Sequence, residues 1–175
     1  IQQIAVEDVR RIPYEDTSIS SRQGKTRAVM KIQEGCDRFC SYCIIPHVRG
    51  GIRSRSPEKI RMEAARLASA GFQEIVLTGI HLSSYGRDLD SADLINAIRR
   101  VAESGIPRIR LGSLEPMAAT DEFVCELKKI PQVCPQFHLS LQSGSDTVLK
   151  RMRRAYSSAE YRASATRLQA AFQGC

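Results

Sequence analysis

The chain has 175 residues, 42% of them hydrophobic and 26% charged, with a formal net charge of +7. This is the composition of one globular domain with a core, and no apolar run approaches membrane-spanning length. Residues 1–20 carry no basic start followed by an apolar stretch, so the sequence predicts a soluble cytoplasmic protein with no membrane partner. Removing the six lysines (25, 31, 59, 128, 129 and 150) from the 26 basic residues leaves 20 arginines. A planar guanidinium fits phosphate oxygens bidentately, so this bias suggests a phosphate-rich partner, although a solvated basic face explains it equally well.

In chain order, residues 1–26 are polar and without a sustained period, and read as a linker or lead-in. A β-rich run follows at 27–35, then a cysteine-rich loop, then a helix over 56–71. That helix has Ser56 as N-cap, Pro57 at its first position, Gly71 as its stop, and Ile60, Ala64 and Leu67 on one face. The unit recurs as an apolar strand at 74–80 and a helix at 91–105, with Leu94, Ile95, Ile98 and Val101 facing inward. A strand at 108–116 precedes a helix at 120–130, capped by Thr120 and burying Phe123, Val124 and Leu127. A strand at 136–144 precedes a helix at 145–154, and a last helix at 157–172 opens with a capping box of Ser157 and Glu160. Strands alternating with helices predict an α/β fold, a parallel sheet with right-handed crossovers arranged as a partial (β/α) barrel of four strand–helix units. The strand at 136–144 is expected to leave a bare edge.

In parallel α/β folds, ligands sit beyond the carboxyl ends of the strands, here after residues 34, 78, 112 and 141. The first of these loops, "EGCDRFCSYC", holds Cys36, Cys40 and Cys43 within eight positions. A tight cysteine cluster in a reducing compartment points to metal. Two metal chemistries fit it. Three thiolates can hold three irons of a 4Fe–4S cube and leave the fourth open. Alternatively, Cys36, Cys40, Cys43 and His47 form a structural Cys3His zinc site, and the chain is a zinc-stabilised RNA-binding module without catalysis. Cys125, Cys134 and Cys175 are scattered and read as free thiols, and His81 and His138 as hydrogen-bonded structural histidines.

The spacing C-x3-C-x2-C, with Tyr42 before the last cysteine, resembles the signature of the radical S-adenosylmethionine superfamily. The stretches "KIQEGCDRFCSYCIIPHVRGGIRSRSPE", "IVLTGIHLSSYG", "SLEP" and "HLSLQSGSDTVLKRMRRAYSSAEY" resemble the tRNA methylthiotransferases, specifically the branch acting on N6-threonylcarbamoyladenosine. This similarity runs from about Thr26 to the last helix. It implies that Cys36, Cys40 and Cys43 ligate a 4Fe–4S cluster whose open iron chelates the amino and carboxylate groups of S-adenosylmethionine. An electron would release a 5′-deoxyadenosyl radical, hydrogen would leave C2 of the modified adenine, and a methylthio group would be installed there. Because the cofactors carry that chemistry, the resemblance implies no catalytic general acid or base.

The candidates to meet S-adenosylmethionine or the substrate are Tyr42, Gly79, Ser113, Glu115, Gln142 and Arg153, with Ser143 beside Gln142. Gly79 reads equally as a tight turn, and Ser113, Glu115, Gln142 and Ser143 equally as helix caps or surface residues. Arg49, Arg53 and Arg55, together with the basic run 150–154, would border an RNA loop through its phosphates. The implied partners are the anticodon loop of a tRNA and an electron donor, with no DNA. Within the same chemistry, isopentenyl-adenosine or a ribosomal-protein side chain is the alternative substrate. Full-length members carry an N-terminal domain with a second 4Fe–4S cluster and a small C-terminal RNA-binding domain. Residues 27–175 are therefore expected to form an incomplete radical domain that binds its cluster but does not transfer sulfur by itself.

Overall fold

The computed structural model describes residues 8, 9, 12–16 and 26–174. Strand β1 (Arg27–Glu34) lies at the centre of a four-stranded sheet in the order β2-β1-β3-β4. It pairs in parallel with β3 (Glu74–Gly79), which pairs in parallel with β4 (Arg108–Leu111). The two-residue β2 (Arg53–Ser54) runs antiparallel to the end of β1, so the sheet is mixed and not wholly parallel. The cause is local. The cysteine loop returns to the strand it left, and its end pairs with Gln33 and Glu34.

The helices form where caps and stripes predict them. Helix α1 (Ile45–Val48) is a single turn inside the cysteine loop. The Ser56 hydroxyl caps α2 (Pro57–Ser69), which buries Ile60, Ala64 and Leu67. Helix α3 (Leu94–Ala102) starts three residues later than expected, because the Asp93 carboxylate accepts from the Asn96 N–H and defines the first turn there. It buries Leu94, Ile95, Ile98 and Val101 against the sheet. Thr120 caps α4 (Asp121–Lys128), and the Ser157–Glu160 capping box opens α6 (Ser158–Ala171). Ile32, Ile75, Leu77, Ile98 and Ile109 are wholly buried between the sheet and these helices.

The second half departs from the expected regular strands. The run at 108–116 divides into β4 and the two-residue β5 (Ser113–Leu114). Gly112 stands between them, its N–H donating to the Leu77 carbonyl at 2.9 Å. Beyond that hydrogen bond the chain leaves the main sheet, and β5 pairs in parallel with β6 (His138–Leu139). The strand expected at 136–144 therefore shrinks to two residues in a sheet of its own. The outer side of β4 is covered by residues 132–134: Ile109 donates to Gln132 and accepts from Cys134, both at 2.8 Å. Helix α5 (Asp146–Arg151) is shorter than the expected 145–154. Much of the predicted linker lies outside the described residues. Within the part described, the Tyr14 hydroxyl donates to the Lys31 carbonyl at 2.6 Å and Asp16 pairs with Arg55, so residues 14–16 pack on the domain.

Candidate metal and cofactor cleft

The cysteine loop closes through a backbone contact that only glycine permits. Gly35 has φ +72°, and a Cβ there would fall 1.8 Å from the Gly51 carbonyl oxygen. That proximity brings residues 35–36 against 50–51, where the Cys36 N–H donates to the Gly50 carbonyl at 3.0 Å. The Cys43 N–H turns back to the Cys40 carbonyl at 3.0 Å, and the Ser41 N–H reaches the Met152 carbonyl at 3.2 Å. All three cysteines are free thiols and only partly exposed.

Beneath the loop, Gln33 joins it to the loop after β3. Its side chain is wholly buried; the amide nitrogen donates to the Glu34 and Gly35 carbonyls at 2.7 and 2.8 Å, and its oxygen accepts from the His81 N–H at 2.7 Å. Alternation along β1 would place Gln33 on the outer face with Val29 and Lys31. A register shift between Lys31 and Gln33 turns it inward instead.

Cys36, Cys40 and Cys43 line one cleft of about 220 Å³, with Tyr42, Ser113, Glu115 and Gln142 on its walls. Apolar cover comes from Ile45, Ile80 and Leu114. A larger cleft of about 580 Å³ lies between α3 and the start of α4, but it has no cysteine in its lining. Phe39, Gln142 and Arg153 are the non-glycine residues with positive φ among the described residues, and all three stand on loops around the cysteines. Each such backbone costs on the order of 1–2 kcal/mol and is held by its surroundings.

The cleft has a charged floor that the sequence did not reveal. The Glu115 carboxylate, 6% exposed, meets Arg38 at 2.7 Å and His81 Nε2 at 3.0 Å through one oxygen. Its other oxygen meets Arg154 at 2.8 Å. Burial pushes the Glu115 carboxyl up, but His81, Arg38 and Arg154 together outweigh it and hold the group below the usual carboxylate range. Arg154 also donates to Cys40 Sγ at 3.1 Å and lies 5.0 Å over the Tyr156 ring. Burial pulls the Arg154 guanidinium down, while Cys40, Tyr156 and Glu115 more than reverse this and keep it protonated. The Cys36 thiol is pushed up, chiefly by burial, with Asp37 and the other two cysteines adding to the effect.

The predicted positions fall into three groups. Tyr42, Ser113 and Gln142 face the cleft together with the cysteines. Glu115 is also there, but both its oxygens are engaged by cations, so it organises the floor and is not a free contact for a ligand. Gly79 and Arg153 do not line the cleft. Gly79 abuts the Gln33 side chain, which a Cβ would approach to 2.8 Å, and Arg153 is exposed while its neighbour Arg154 turns inward. The predicted basic border is also revised. Arg55 is buried and ion-paired with Asp16 at 2.9 Å, and Arg53 donates to the Val9 and Arg49 carbonyls, leaving Arg49 as the outward member. His138 is exposed, beside the Ser113 hydroxyl at 3.2 Å.

The cleft lining offers three thiols and leaves out His47, a donor set of the kind that can hold an iron–sulfur cluster. Among the described residues, the group of ligand atoms lying within 4.8 Å of one another is Cys36, Asp37 and His81, not the three cysteines with His47. His47 is exposed and packs edge-on against Phe39 at 5.6 Å, outside the cleft. His81 Nδ1 is buried with no hydrogen-bond partner among the described residues, an open position in the cleft wall.

Residues 30–175 match the family model described as the radical SAM superfamily. The chain belongs to that superfamily. It is 45% identical over 147 residues to the threonylcarbamoyladenosine tRNA methylthiotransferase MtaB of Bacillus subtilis, covering 82% of this chain and 32% of that protein. It is 39% identical over 170 residues to the tRNA-2-methylthio-N(6)-dimethylallyladenosine synthase of Dictyoglomus thermophilum, covering 95% of this chain and 38% of that one. This radical SAM chain thus spans 32–38% of the length of these curated relatives. Among solved structures, the cobalamin-dependent radical enzyme OxsB superposes with a TM-score of 0.66 at 16% identity, over 82% of this chain and 22% of OxsB. The radical methyltransferase TsrM from Kitasatospora setae, solved with cobalamin and a 4Fe–4S cluster, gives 0.65 at 18%, over 83% and 29%. At those identities the likeness is one of fold, an α/β partial barrel. No helix among the described residues is long and apolar enough to cross a membrane.

Proposed function

We propose that this chain is the radical-generating core of a cytoplasmic tRNA methylthiotransferase that acts on N6-threonylcarbamoyladenosine beside the anticodon. The observation that carries this reading is the gathering of Cys36, Cys40 and Cys43, unpaired with one another, around one cleft beyond the carboxyl ends of the strands. The three thiolates would hold a 4Fe–4S cluster, and Tyr42, Ser113 and Gln142 would meet S-adenosylmethionine and the base beside it. When bound, these cofactors supply the electron and the radical that open C2 of the adenine to methylthiolation. The protein's own part is geometric. Ile45, Ile80 and Leu114 give the cleft an apolar wall, and the buried Glu115 network holds the floor in place.

The identity of 45% to the threonylcarbamoyladenosine enzyme supports that substrate. A second reading, the dimethylallyladenosine branch, draws on a match across 95% of the chain at 39% identity. The electron donor and the second cluster belong to the whole enzyme, of which residues 27–175 are the radical part.

Anaerobic reconstitution with iron and sulfide tests this reading. A brown protein with broad visible absorbance, about four irons per chain and formation of 5′-deoxyadenosine from S-adenosylmethionine is expected. Colourless protein with stoichiometric zinc overturns it. A methylthiolated tRNA made by this chain alone would refute the expectation that sulfur transfer needs the rest of the enzyme.

A further inference from the structure

Arg154 joins two things that sequence spacing does not connect: a cysteine of the metal loop and a buried carboxylate. One arm of its guanidinium donates to Cys40 Sγ at 3.1 Å and the other to Glu115 Oε1 at 2.8 Å. Its side chain is 7% exposed, and its Nε lies 3.3 Å from the Tyr156 hydroxyl, which is itself held by the Leu141 carbonyl at 3.0 Å. The backbone is shaped for this placement. Helix α5 ends at Arg151, Arg153 takes the left-handed conformation at φ +56°, and the next side chain is thereby turned into the cleft. Cys36 is met by the Arg38 backbone N–H, whereas among the hydrogen bonds of the described residues Cys40 is the loop cysteine that a guanidinium touches, so the three thiols are electrostatically unequal.

We propose that Arg154 is a positioning residue that fixes the Cys40 ligand and biases the redox poise of the metal centre, with Glu115 as its counterweight. The inference rests on the reading that the three cysteines hold an iron–sulfur cluster. A cation hydrogen-bonded to one thiolate stabilises the more negative, reduced state of such a centre, so it raises the reduction potential. Glu115 opposes this effect, but Arg38 and His81 share its charge, leaving Arg154 as the cation that touches sulfur. Arginine suits the task because its rigid fork reaches sulfur and carboxylate together, which an ammonium group on a flexible stem does not do.

The test is an anaerobic redox titration of the reconstituted chain, read by the electron paramagnetic resonance signal of the reduced cluster. Arg154→Gln is expected to shift the midpoint to a more negative value, Glu115→Gln to a less negative one, and Arg154→Lys to stay near wild type while broadening the signal. Failure of Arg154→Gln to load its cluster, with loading retained in Arg154→Lys, also supports the proposal. Equal midpoints in wild type and Arg154→Gln, or shifts of the same sign for Arg154→Gln and Glu115→Gln, overturn it. Loss of loading in both Arg154 variants overturns it too, since charge would then not be what matters. If the wild-type chain takes up no iron–sulfur cluster, it is the reading of the cysteines that fails, and the two failures are thereby told apart.

Discussion

Glu115 is the residue on which most of the cleft's charge converges, and its carboxyl is held below its ordinary value of 4.5 despite burial. Because the folded state depresses this value, the stabilisation is complete above the ordinary carboxylate range and is lost as pH falls through the depressed value. Glu115→Gln should therefore lower the thermal midpoint at neutral pH, by about 1.5–3 kcal/mol of stability for a hydrogen bond to charged partners. The gap from wild type should close as pH falls below the ordinary carboxylate range and through the depressed value, and a gap constant from neutral pH downward would contradict the assignment. Gln33 makes a sharper case, since its buried side chain satisfies the Glu34 and Gly35 carbonyls and the His81 N–H. Replacing it with alanine strands these groups at about 1–3 kcal/mol for an unsatisfied buried partner. A marked fall in the urea midpoint is expected, and a variant as stable as wild type would show that water substitutes freely there.

At the scale of elements, helices announced themselves through their ends. Ser56, Thr120 and Ser157 each cap the helix that their position predicted, because a side-chain oxygen beside a free N–H is a purely local arrangement. Ser157→Ala should cost about 1 kcal/mol in chemical denaturation, and a Thr replacement should recover most of it. Within α3, Ile98 is wholly buried, and its truncation to alanine should cost about 2–5 kcal/mol. The strands were less legible. The residues from 136 to 144 look β-rich, yet only His138 and Leu139 find a ladder, since β5 offers two residues to pair with. Arg154 was hidden for a related reason. A helical count continues past Arg151 in the sequence, whereas the left-handed Arg153 breaks the register and changes which arginine faces inward. Neither event leaves a mark in hydrophobic periodicity: the first depends on a partner strand far along the chain, and the second on a local closure in which the Arg153 and Arg154 N–H groups turn back to the Lys150 and Leu149 carbonyls.

For the molecule as a whole, the +7 charge is partly structural. Arg27, Arg108 and Arg110 surround Glu74 at the opposite end of the sheet from the cysteines, and Arg55 faces Asp16. Arg49, Lys150, Arg151 and Arg153 remain exposed near the cysteine loop and the end of α5. On the proposed tRNA function, reversing the charge of Arg49 and Arg151 together should weaken binding of an anticodon stem–loop RNA. It should also flatten the dependence of log affinity on log salt, by about 0.7–0.9 per lost phosphate contact. An unchanged slope would remove these residues from the RNA surface. The clamp between Arg154 and Cys40 has a further consequence, because its partners are 114 positions apart in the chain. At usual ribosomal rates, the thiols emerge about 6–23 s before the guanidinium that steadies them. Until then a nascent chain displays its sulfurs on a loop without that brace.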